Sequence, residues 1–266
     1  MKRVMLIGDI ARDVFINVDC SRISPERPVP VVTPHSVREN LGMGGNVLAN
    51  LNSLGPEIGV ISLFPEGHSV KTRYVDRASN QHFLRVDQDV STTPLDAKTF
   101  IDALESREWD AVVLSDYAKG HLNADNMKAI ALLCENRGIP TWLDTKAILG
   151  EWSQSVTVVK INAKEYAAQL AAGVKAPWLQ CKNLIVTQGS KGMVLLNEEG
   201  GDEYRTTPKV VEVRDSVGAG DSCLAALVVG YLETQDLTKA MDFADKVCTI
   251  AVSKPGVVAV KREEIL

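Results

Sequence analysis

The segment from residue 215 to residue 221, Asp-Ser-Val-Gly-Ala-Gly-Asp, has the residue types best suited to chemistry in this chain. An apolar run of small residues follows it through Leu232, which predicts a helix that begins at the two glycines. Bare backbone N–H groups and the helix dipole make such a start suitable for binding a phosphoryl group. Asp221, in the first turn, can accept a proton from a hydroxyl that attacks this phosphoryl group. The same pattern also fits an ordinary helix start with a favourably placed acid.

Other glycine patterns do not complete a nucleotide-binding motif. The pattern that starts at Gly42 has Val47 where the dinucleotide fingerprint requires its third glycine, and the pattern that starts at Gly218 has Cys223 there. The chain has no G-x-x-x-x-G-K-[ST] sequence. Hydride transfer on a dinucleotide and P-loop chemistry are therefore both disfavoured.

Composition places the chain among ordinary globular proteins and excludes several partners. Of 266 residues, 45% are hydrophobic and 24% are charged, with a net charge of −5 and no dense basic run. Nucleic acid and anionic membranes are therefore not expected as partners. The five widely spaced cysteines contain no C-x-x-C pair, and the four histidines show no ligand spacing, so neither a disulfide framework nor a structural metal is expected.

The amino-terminal residues predict a cytoplasmic location. Met1-Lys2-Arg3 is followed by only four apolar residues, which is too short for the apolar core of a signal peptide. No stretch approaches the 18 apolar residues of a membrane span.

Short apolar runs alternate with helical patterns along most of the chain. The runs at 4–7, 58–63, 111–114, 141–143, 156–159 and 184–186 predict buried strands, and the patterns at 46–54, 123–137 and 163–171 predict helices. This alternation predicts an α/β fold, a three-layer sandwich with a mostly parallel central sheet that helices cover on both faces.

Two segments interrupt that alternation, approximately 14–37 and 70–89. Both are rich in Val, Ile, Tyr, Phe, Arg and Pro, with partly alternating polarity, which predicts strands that are solvated on one face. We expect them to form a small antiparallel lid inserted into a single domain over residues 1–266. The residues at 193–197, 204–206 and 210–213 predict a further meander.

Three motifs, in the same order along the chain as in the family, make the sequence similar to the ribokinase-like (PfkB) sugar kinases. Asp215–Asp221 resembles the carboxyl-terminal signature of that family, and the segment from Gly42 to Gly55 resembles its amino-terminal glycine signature. Asn162-Ala163-Lys164-Glu165 resembles the N-x-x-E element. The resemblance covers nearly the whole chain and implies the ribokinase-like fold and an ATP- and Mg²⁺-dependent kinase.

The resemblance assigns roles to the chemistry-bearing residues. It implies that Asp221 is the base and that the amides of Gly218, Ala219 and Gly220 neutralise the transferring phosphoryl group. It also implies that Asn162 and Glu165 hold Mg²⁺ largely through water, in keeping with a cation that retains several waters. If the resemblance is set aside, the same two residues fit the reciprocal capping pair of an ordinary helix start.

Within the family, the lid and substrate-side segments are most similar to kinases that phosphorylate carbon 1 of D-glycero-D-manno-heptose 7-phosphate. The segments that carry this resemblance are 8–13, 21–32, 71–87 and 114–120. Together with the family resemblance, they imply that the substrate is bound by Asp13, Gly44, Asn46, Lys71, Arg73, Arg85 and Asp116. The alternation of polarity predicts that Lys71, Arg73 and Arg85 line one face of the lid, and such cations suit a substrate that already carries a phosphate. The alternatives are a turn aspartate at 13, a helix cap at 46 and solvated basic residues.

The residues that would contact ATP are assigned from shorter segments that resemble the family. The family resemblance implies that ATP is approached by Lys146, Thr187, Gly189, Gly192 and Asp245. A hairpin turn at 187–192 and a structural role for Lys146 are the alternatives. Thr145 stands where the D-P-K element of the heptose kinases has proline, and Asp245 stands where the family has asparagine.

Two departures from the family bear on function. Between Leu63 and Lys71 the chain has only seven residues, where relatives have roughly a strand and a helix more, so the exact sugar is less secure. The chain contains no H-x-G-H sequence, and a kinase without a fused adenylyltransferase is expected.

Other functions and features stay open at this level. The alternatives are a kinase for another sugar, sugar phosphate or nucleoside, and a non-catalytic relative that binds sugar or nucleotide. A monovalent cation near Asp215 and a homodimer through the lid, whose sheet edges can pair, are further expectations.

Overall fold

Residues 1–265 of the computed structural model form two β-sheets and six α-helices. The strands are β1 (Lys2–Gly8), β2 (Ile10–Ile23), β3 (Pro30–Met43), β4 (Ile58–Leu63), β5 (Ser69–Asp76), β6 (His82–Gln88), β7 (Ala111–Ser115), β8 (Thr141–Asp144), β9 (Val158–Asn162), β10 (Leu184–Thr187), β11 (Met193–Leu196) and β12 (Asp202–Arg205). The helices are α1 (Gly44–Leu54), α2 (Ala97–Glu105), α3 (Ala124–Asn136), α4 (Ala163–Ala171), α5 (Ala219–Thr234) and α6 (Leu237–Val252).

The larger sheet has eight strands in the order β12-β11-β10-β9-β8-β7-β1-β4. The six strands from β10 to β4 are parallel, and β11 and β12 continue the sheet antiparallel. Strand β7 is buried along its whole length, as expected for a parallel strand with both faces covered. The predicted mostly parallel sheet is confirmed.

Helices cover both faces of this sheet and divide the core into two layers. In β1, Val4 and Leu6 pack on the side of α1, α5 and α6, whereas Met5 and Ile7 pack on the side of α2 and α3. Alternate residues of a strand point to opposite faces, so one apolar run contributes to both layers. The predicted three-layer sandwich is confirmed. None of the helices in residues 1–265 has the length and apolar composition that a membrane span requires.

The smaller sheet, here called the lid, has the order β3-β2-β5-β6. Its two hairpins, β2–β3 and β5–β6, are antiparallel as predicted, but the central pair β2–β5 is parallel. The chain passes through α1 and β4 before it enters β5, and such a crossover returns a strand in the original direction. The lid strands contain most of the predicted segments and extend further, over residues 10–43 and 69–88.

Some elements differ from the sequence expectation. The predicted third strand of the meander, 210–213, is not a strand; Val210 is fully exposed and no neighbouring strand pairs with it. The helix α2 was not expected from its apolar pattern, although Asp96 caps it by accepting a hydrogen bond from the Thr99 N–H. Helix α6 was likewise not expected, and its cap is Asp236.

The fold brings the candidate functional residues to one edge of the larger sheet. Strands β1, β7, β8, β9 and β10 all end there because they are parallel. The helices α1 and α5 begin beside this edge: Asn46 in the first turn of α1 contacts Asp221 in the first turn of α5. Ligands of α/β proteins bind at this edge of the sheet.

Asp9, directly after β1, holds the loop that follows β7 against this edge. Its buried carboxylate accepts hydrogen bonds from the backbone N–H groups of Tyr117 at 2.8 Å, Lys119 at 3.0 Å and His121 at 3.4 Å. Without this carboxylate, one buried and two partly buried N–H groups would lose their acceptor. Asp9 therefore determines where Tyr117 lies.

We expect Asp9→Ala to lower the free energy of unfolding by about 2–4 kcal/mol, since it leaves three buried or partly buried N–H groups without a partner. The matched control is Asp110→Ala, which removes an aspartate that binds the Arg3 N–H at 2.8 Å and the Lys2 ammonium, but whose side chain is 30% exposed. The control should cost about 1 kcal/mol or less. Chemical denaturation measures the free energy of unfolding of both variants. Equal decreases would show that the hydrogen bonds of Asp9 contribute no more than those of an exposed aspartate.

Candidate active site

The start of α5 forms an open set of backbone N–H groups. Gly218 precedes the helix with φ +80°, and a Cβ atom there would lie 2.6 Å from Asn46 Nδ2, so only glycine fits without strain. Within residues 1–265, no group accepts a hydrogen bond from the N–H of Gly220 or Asp221. Residues 218–220 are partly exposed, so the Gly220 N–H can receive an anion from solvent, whereas the Ala219 N–H is already bound to the carbonyl oxygen of Ser216 at 3.3 Å.

Asp221 lies beside these N–H groups with both carboxylate oxygens bound. Its side chain is buried; Tyr117 donates its hydroxyl to Oδ1 at 2.6 Å, and the Asn46 amide donates to Oδ2 at 2.9 Å. Burial raises the pKa of Asp221 to about 6, although the hydrogen bonds from Tyr117 and Asn46 oppose this shift. Asp221 is therefore a stronger base than an exposed aspartate and is still ionised at neutral pH.

Asn46 is oriented by its own helix. It lies in the first turn of α1 and is not its cap, because that position belongs to Met43. Asn50, one turn later, donates to Asn46 Oδ1 at 3.1 Å, which leaves the Asn46 Nδ2 group directed at Asp221. The helix-cap alternative for Asn46 is wrong, and its role in binding a sugar stays a prediction.

Lys160 lies under the start of α5 and was missed by the sequence analysis. Its ammonium is 2.5 Å from Asp144 Oδ2 and 3.2 Å from the carbonyl oxygen of Gly220. Burial alone would lower the pKa of Lys160, but the neighbouring Asp144 carboxylate raises it overall, so the ammonium stays charged. The sequence did contain a signal for it: a lysine within the apolar run of β9 indicates a buried charge that needs a partner.

On the lid, Asp13 and Arg73 form a buried ion pair. The Arg73 guanidinium donates to Asp13 Oδ1 at 2.6 Å, and each side chain is only 8% exposed. Asp13 lies within β2, so the turn alternative for it is wrong. The expectation of Arg73 as an open phosphate ligand needs correction, because its charge is already neutralised by Asp13.

The strand register places Lys71, Arg73 and Arg85 on one face of the lid, as the alternation predicted. Arg85 is exposed and pairs with Asp87, which raises the pKa of its guanidinium. A further residue, Arg38, shares this face and was missed: the ring of Phe15 lies between Arg38, at 4.9 Å, and Arg73, at 5.1 Å. Among residues 1–265, no carboxylate lies within ion-pair distance of Lys71 or Arg38.

Asp116 is bound inside the protein, contrary to the expected substrate contact. Its Oδ1 accepts from the Ala118 N–H at 2.8 Å and its Oδ2 from the Thr145 hydroxyl at 2.5 Å, and burial raises its pKa. Thr145, which replaces the proline of the family element, thus supplies a hydroxyl to the loop. The structure favours a loop-shaping role for Asp116 because both of its oxygens are engaged.

Gly44 serves close packing at the start of α1. Its N–H donates to the carbonyl oxygen of Asp9 at 2.9 Å, and a Cβ atom would lie 2.8 Å from the Phe64 ring. Phe64 belongs to the shortened segment between residues 63 and 71. That segment therefore lies beside the expected sugar site. Because Gly44 has no Cβ atom, the Phe64 ring can pack closely against the start of α1.

Asn162 and Glu165 form the reciprocal capping pair of α4. Asn162 Oδ1 accepts from the Glu165 N–H at 2.9 Å, and Glu165 Oε2 accepts from the Asn162 N–H at 2.8 Å. The other Glu165 oxygen pairs with the Lys146 ammonium. No cluster of three or more His, Cys, Asp or Glu that could hold a metal occurs in residues 1–265. Amide and carboxylate oxygens nevertheless suit a hydrated Mg²⁺, which needs few direct protein ligands.

The candidate nucleotide residues lie around the turn after β10. Residues 187–192 connect two antiparallel strands, so the hairpin alternative is realised; Gly189 and Gly192 have φ values of +59° and +80°. Thr206 packs where a Gly192 Cβ would be, and its hydroxyl donates to Asp245 at 3.0 Å. Burial raises the pKa of Asp245. Contact of these residues with ATP stays a prediction.

Transfer of a phosphoryl group to an alcohol needs N–H groups for the phosphoryl oxygens and a carboxylate for the hydroxyl proton, and both meet at the start of α5. Residues 66–264 match the family model described as pfkB family carbohydrate kinase. The chain therefore belongs to the pfkB family of carbohydrate kinases. Kinases of this kind use ATP and a divalent metal ion.

Curated relatives match almost the whole chain. Bifunctional protein HldE of a Nitratiruptor species is 30% identical over 302 residues, covering 99% of this chain and 64% of that protein. Bifunctional protein HldE of Campylobacter jejuni is 30% identical over 297 residues, with coverages of 99% and 64%. The chain thus spans less than two thirds of the length of these relatives.

Solved structures share the fold at low sequence identity. Ribokinase from Thermotoga maritima superposes with a TM-score of 0.73 at 19% identity, covering 100% of this chain and 98% of that chain. Phosphofructokinase-2 from Escherichia coli in complex with potassium has a TM-score of 0.75 at 16% identity, with coverages of 100% and 97%. The fold is therefore ribokinase-like, as the sequence resemblance implied.

We expect Gly218→Ala to reduce kcat about a hundredfold, because the new Cβ displaces the Asn46 amide from Asp221 and small displacements in an active site are costly. The control is Gly138→Ala, at the end of α3, where φ is +67° but no atom lies within 4 Å of the new Cβ. Both variants bear similar backbone strain of about 1–2 kcal/mol. Only the Gly218 variant should lose turnover, and equal kcat values would contradict the proposed geometry.

The Asp221 carboxyl should titrate at about 6, compared with about 4 for an exposed aspartate. Because burial favours the neutral form, the carboxyl is protonated below this pH and the base is lost as the pH falls. Carbon NMR of the labelled aspartates follows the titration, and the signal is assigned by its absence in Asp221→Asn. A midpoint near 4 would show that the carboxylate is solvated.

Proposed function

We propose that the protein transfers the γ-phosphoryl group of ATP to the C1 hydroxyl of D-glycero-D-manno-heptose 7-phosphate. The observation that carries the transfer is the buried Asp221 beside the bare N–H groups of Gly220 and Asp221. The choice of sugar is supported by the resemblance of the lid segments to heptose 7-phosphate kinases and by the relatives named Bifunctional protein HldE.

In the proposed mechanism, Asp221 takes the proton of the sugar hydroxyl as that oxygen bonds to the γ-phosphorus. The bond from the γ-phosphorus to the oxygen that bridges the β- and γ-phosphates breaks, and ADP leaves with the electron pair. The N–H groups of Gly218 and Gly220 would stabilise the charge on the moving phosphoryl oxygens, whereas the Ala219 N–H already donates to the carbonyl oxygen of Ser216 at 3.3 Å. Asn162 and Glu165 would hold Mg²⁺ through water, and this ion would neutralise phosphate charge.

The charge of one lid face supports a substrate that already bears a phosphate. Four cationic side chains share this face with two carboxylates, namely Arg38, Lys71, Arg73 and Arg85 with Asp13 and Asp87. The resulting excess of two positive charges matches a phosphate dianion, and the side chains without a carboxylate partner are Arg38 and Lys71.

Arg38 also lies near the start of α5. Its guanidinium packs against Gly256, where a Cβ atom would be 2.9 Å from Nη2. The Gly256 N–H donates to Asp215 Oδ2 at 3.1 Å, and Asp215 begins the segment that leads to the helix. A sugar phosphate held by Arg38 and Lys71 would therefore have its other end directed towards Asp221. The same Asp215 segment is where a monovalent cation is proposed.

The nucleotide is proposed to lie at the turn after β10. Thr187, Gly189 and Gly192 would approach its phosphates. Of the two glycines, Gly189 has an N–H without an acceptor in residues 1–265, whereas the Gly192 N–H donates to the carbonyl oxygen of Gly189 at 3.0 Å. Lys146 and Asp245 are further proposed contacts. All of these residues lie at or near the edge of the sheet from which α5 begins.

The opposite face of the lid supports a homodimer. That face carries four apolar side chains that are each at least 41% exposed, Val37 and Leu41 on β3 and Leu84 and Val86 on β6, at the two outer strands of the lid. Packing of two such faces would cover them. We place the enzyme in the cytoplasm, in keeping with its free cysteines.

The substrate is tested by coupled ADP release with heptose 7-phosphate, ribose, fructose phosphates and nucleosides as acceptors. We expect kcat/KM for heptose 7-phosphate to exceed that for each unphosphorylated acceptor by at least about a hundredfold. An acceptor without a phosphate would leave Arg38 and Lys71 without an anionic partner. Turnover with unphosphorylated sugars alone would reject the sugar phosphate. Preference for another sugar phosphate would retain the kinase and change its substrate.

The catalytic role is tested in the same assay with Asp221→Asn, which keeps the shape of the side chain and removes the base. Turnover should fall at least about a hundredfold while ATP binding, measured by calorimetry, is retained. Asp110→Asn, at the opposite edge of the sheet, is the control and should keep full turnover. Binding of sugar and ATP by the wild-type protein without any turnover would favour a non-catalytic relative.

A further inference from the structure

We propose that Tyr117 is a positioning residue for the base, which fixes the Asp221 carboxylate through its hydroxyl and links it through its ring to Lys146 and Glu165. The inference rests on the proposed function, because it takes Asp221 as the base. The sequence analysis assigned no role to Tyr117, which is only one residue of the segment 114–120.

The backbone of Tyr117 is held firmly on one side of the site. Its N–H donates to the buried carboxylate of Asp9 at 2.8 Å. The next residue, Ala118, adopts a left-handed conformation with φ +55° and donates its N–H to Asp116 at 2.8 Å. Two buried aspartates therefore determine the turn that points the Tyr117 side chain towards α5.

The Tyr117 hydroxyl completes a two-point hold on the base. It occupies Oδ1 of Asp221 at 2.6 Å while the Asn46 amide occupies Oδ2 at 2.9 Å. Burial, and then the charge of Asp221, raise the pKa of Tyr117, so the phenol stays a donor at physiological pH. Each carboxylate oxygen keeps a second acceptor position, and the hold leaves a defined direction from which a sugar hydroxyl can approach.

The Tyr117 ring carries a second contact, to the candidate nucleotide side. The Lys146 ammonium lies over the ring at 5.1 Å from its centre and pairs with Glu165. Glu165 in turn accepts the Asn162 N–H at 2.8 Å. A continuous set of contacts thus runs from the N-x-x-E element to the base, with Tyr117 as its middle member.

Other groups also face Asp221 and set the background against which Tyr117 acts. Asp144 from β8 and Lys160 from β9 lie below it with opposite charges. From α6, the thiol of Cys248 contacts the carbonyl oxygen of Ala219, two residues before the base. None of these groups donates a hydrogen bond to the Asp221 carboxylate, so the hydroxyl of Tyr117 has no substitute in residues 1–265.

The first test is Tyr117→Phe, which removes the hydroxyl and keeps the ring under Lys146. We expect kcat to fall about tenfold, KM for ATP to change less than about twofold, and the titration midpoint of Asp221 to rise by about one pH unit. The matched control is Tyr204→Phe, which removes an equal 2.6 Å hydrogen bond from a tyrosine to Asp242, outside the site. The control should leave all three quantities unchanged.

The link to the nucleotide side is tested by a double-mutant cycle of Tyr117→Phe with Lys146→Met. If the ring and the hydroxyl act as one unit, the loss of kcat in the double variant is smaller than the product of the two single losses by at least about threefold. Multiplicative losses would show that Lys146 and Tyr117 act separately, and this part of the proposal would be overturned.

The titration of Asp221 separates this inference from the proposed function. It is measured by carbon NMR without substrate, so it reports on Tyr117 even if no sugar is turned over. A midpoint that is equal in the wild type and in Tyr117→Phe would overturn the positioning role, whatever the substrate. A raised midpoint with no turnover of any sugar by the wild type would keep the contact and reject the kinase.

Discussion

The buried carboxylate of Asp221, held beside unpaired N–H groups at the start of α5, is the interaction on which the site depends. Burial of a charge is costly, and it is offset here by hydrogen bonds from Tyr117 and Asn46 and by the nearby charge of Lys160. The same burial makes the carboxylate a better base. A buried carboxylate with a raised pKa is the kind of group that the proposed role of Asp221 requires.

The groups that support Asp221 come from distant parts of the sequence. Asn46 follows β3, Tyr117 follows β7 and Lys160 lies in the middle of β9, yet all reach the start of α5. They meet because parallel strands end at one edge of the sheet and the helices that follow begin there. Asp9 adds a further constraint, since it holds the loop that carries Tyr117.

On the lid, pairing decides which charges remain for a substrate. The residue types of Lys71, Arg73 and Arg85 and their alternation were sufficient to place them on one face. Their ion pairs were not predictable, because Asp13 and Arg73 are 60 residues apart and meet only through the parallel pairing of β2 with β5. That pairing neutralises Arg73 and leaves Lys71 without a carboxylate partner in residues 1–265, on the same face as Arg38, which the sequence analysis did not select.

Local patterns in the sequence by themselves determined the alternation of strands and helices, the glycine-led start of α5 and the family likeness. Such features depend on backbone preferences and apolar periodicity within a few neighbouring residues. Only the tertiary structure decided the parallel junction of the lid, the burial of Arg73 and Asp116, and the hold of Tyr117 on Asp221. The physical reason is that hydrogen bonds and ion pairs form between side chains that meet in space, and local sequence does not encode which distant partner will be there.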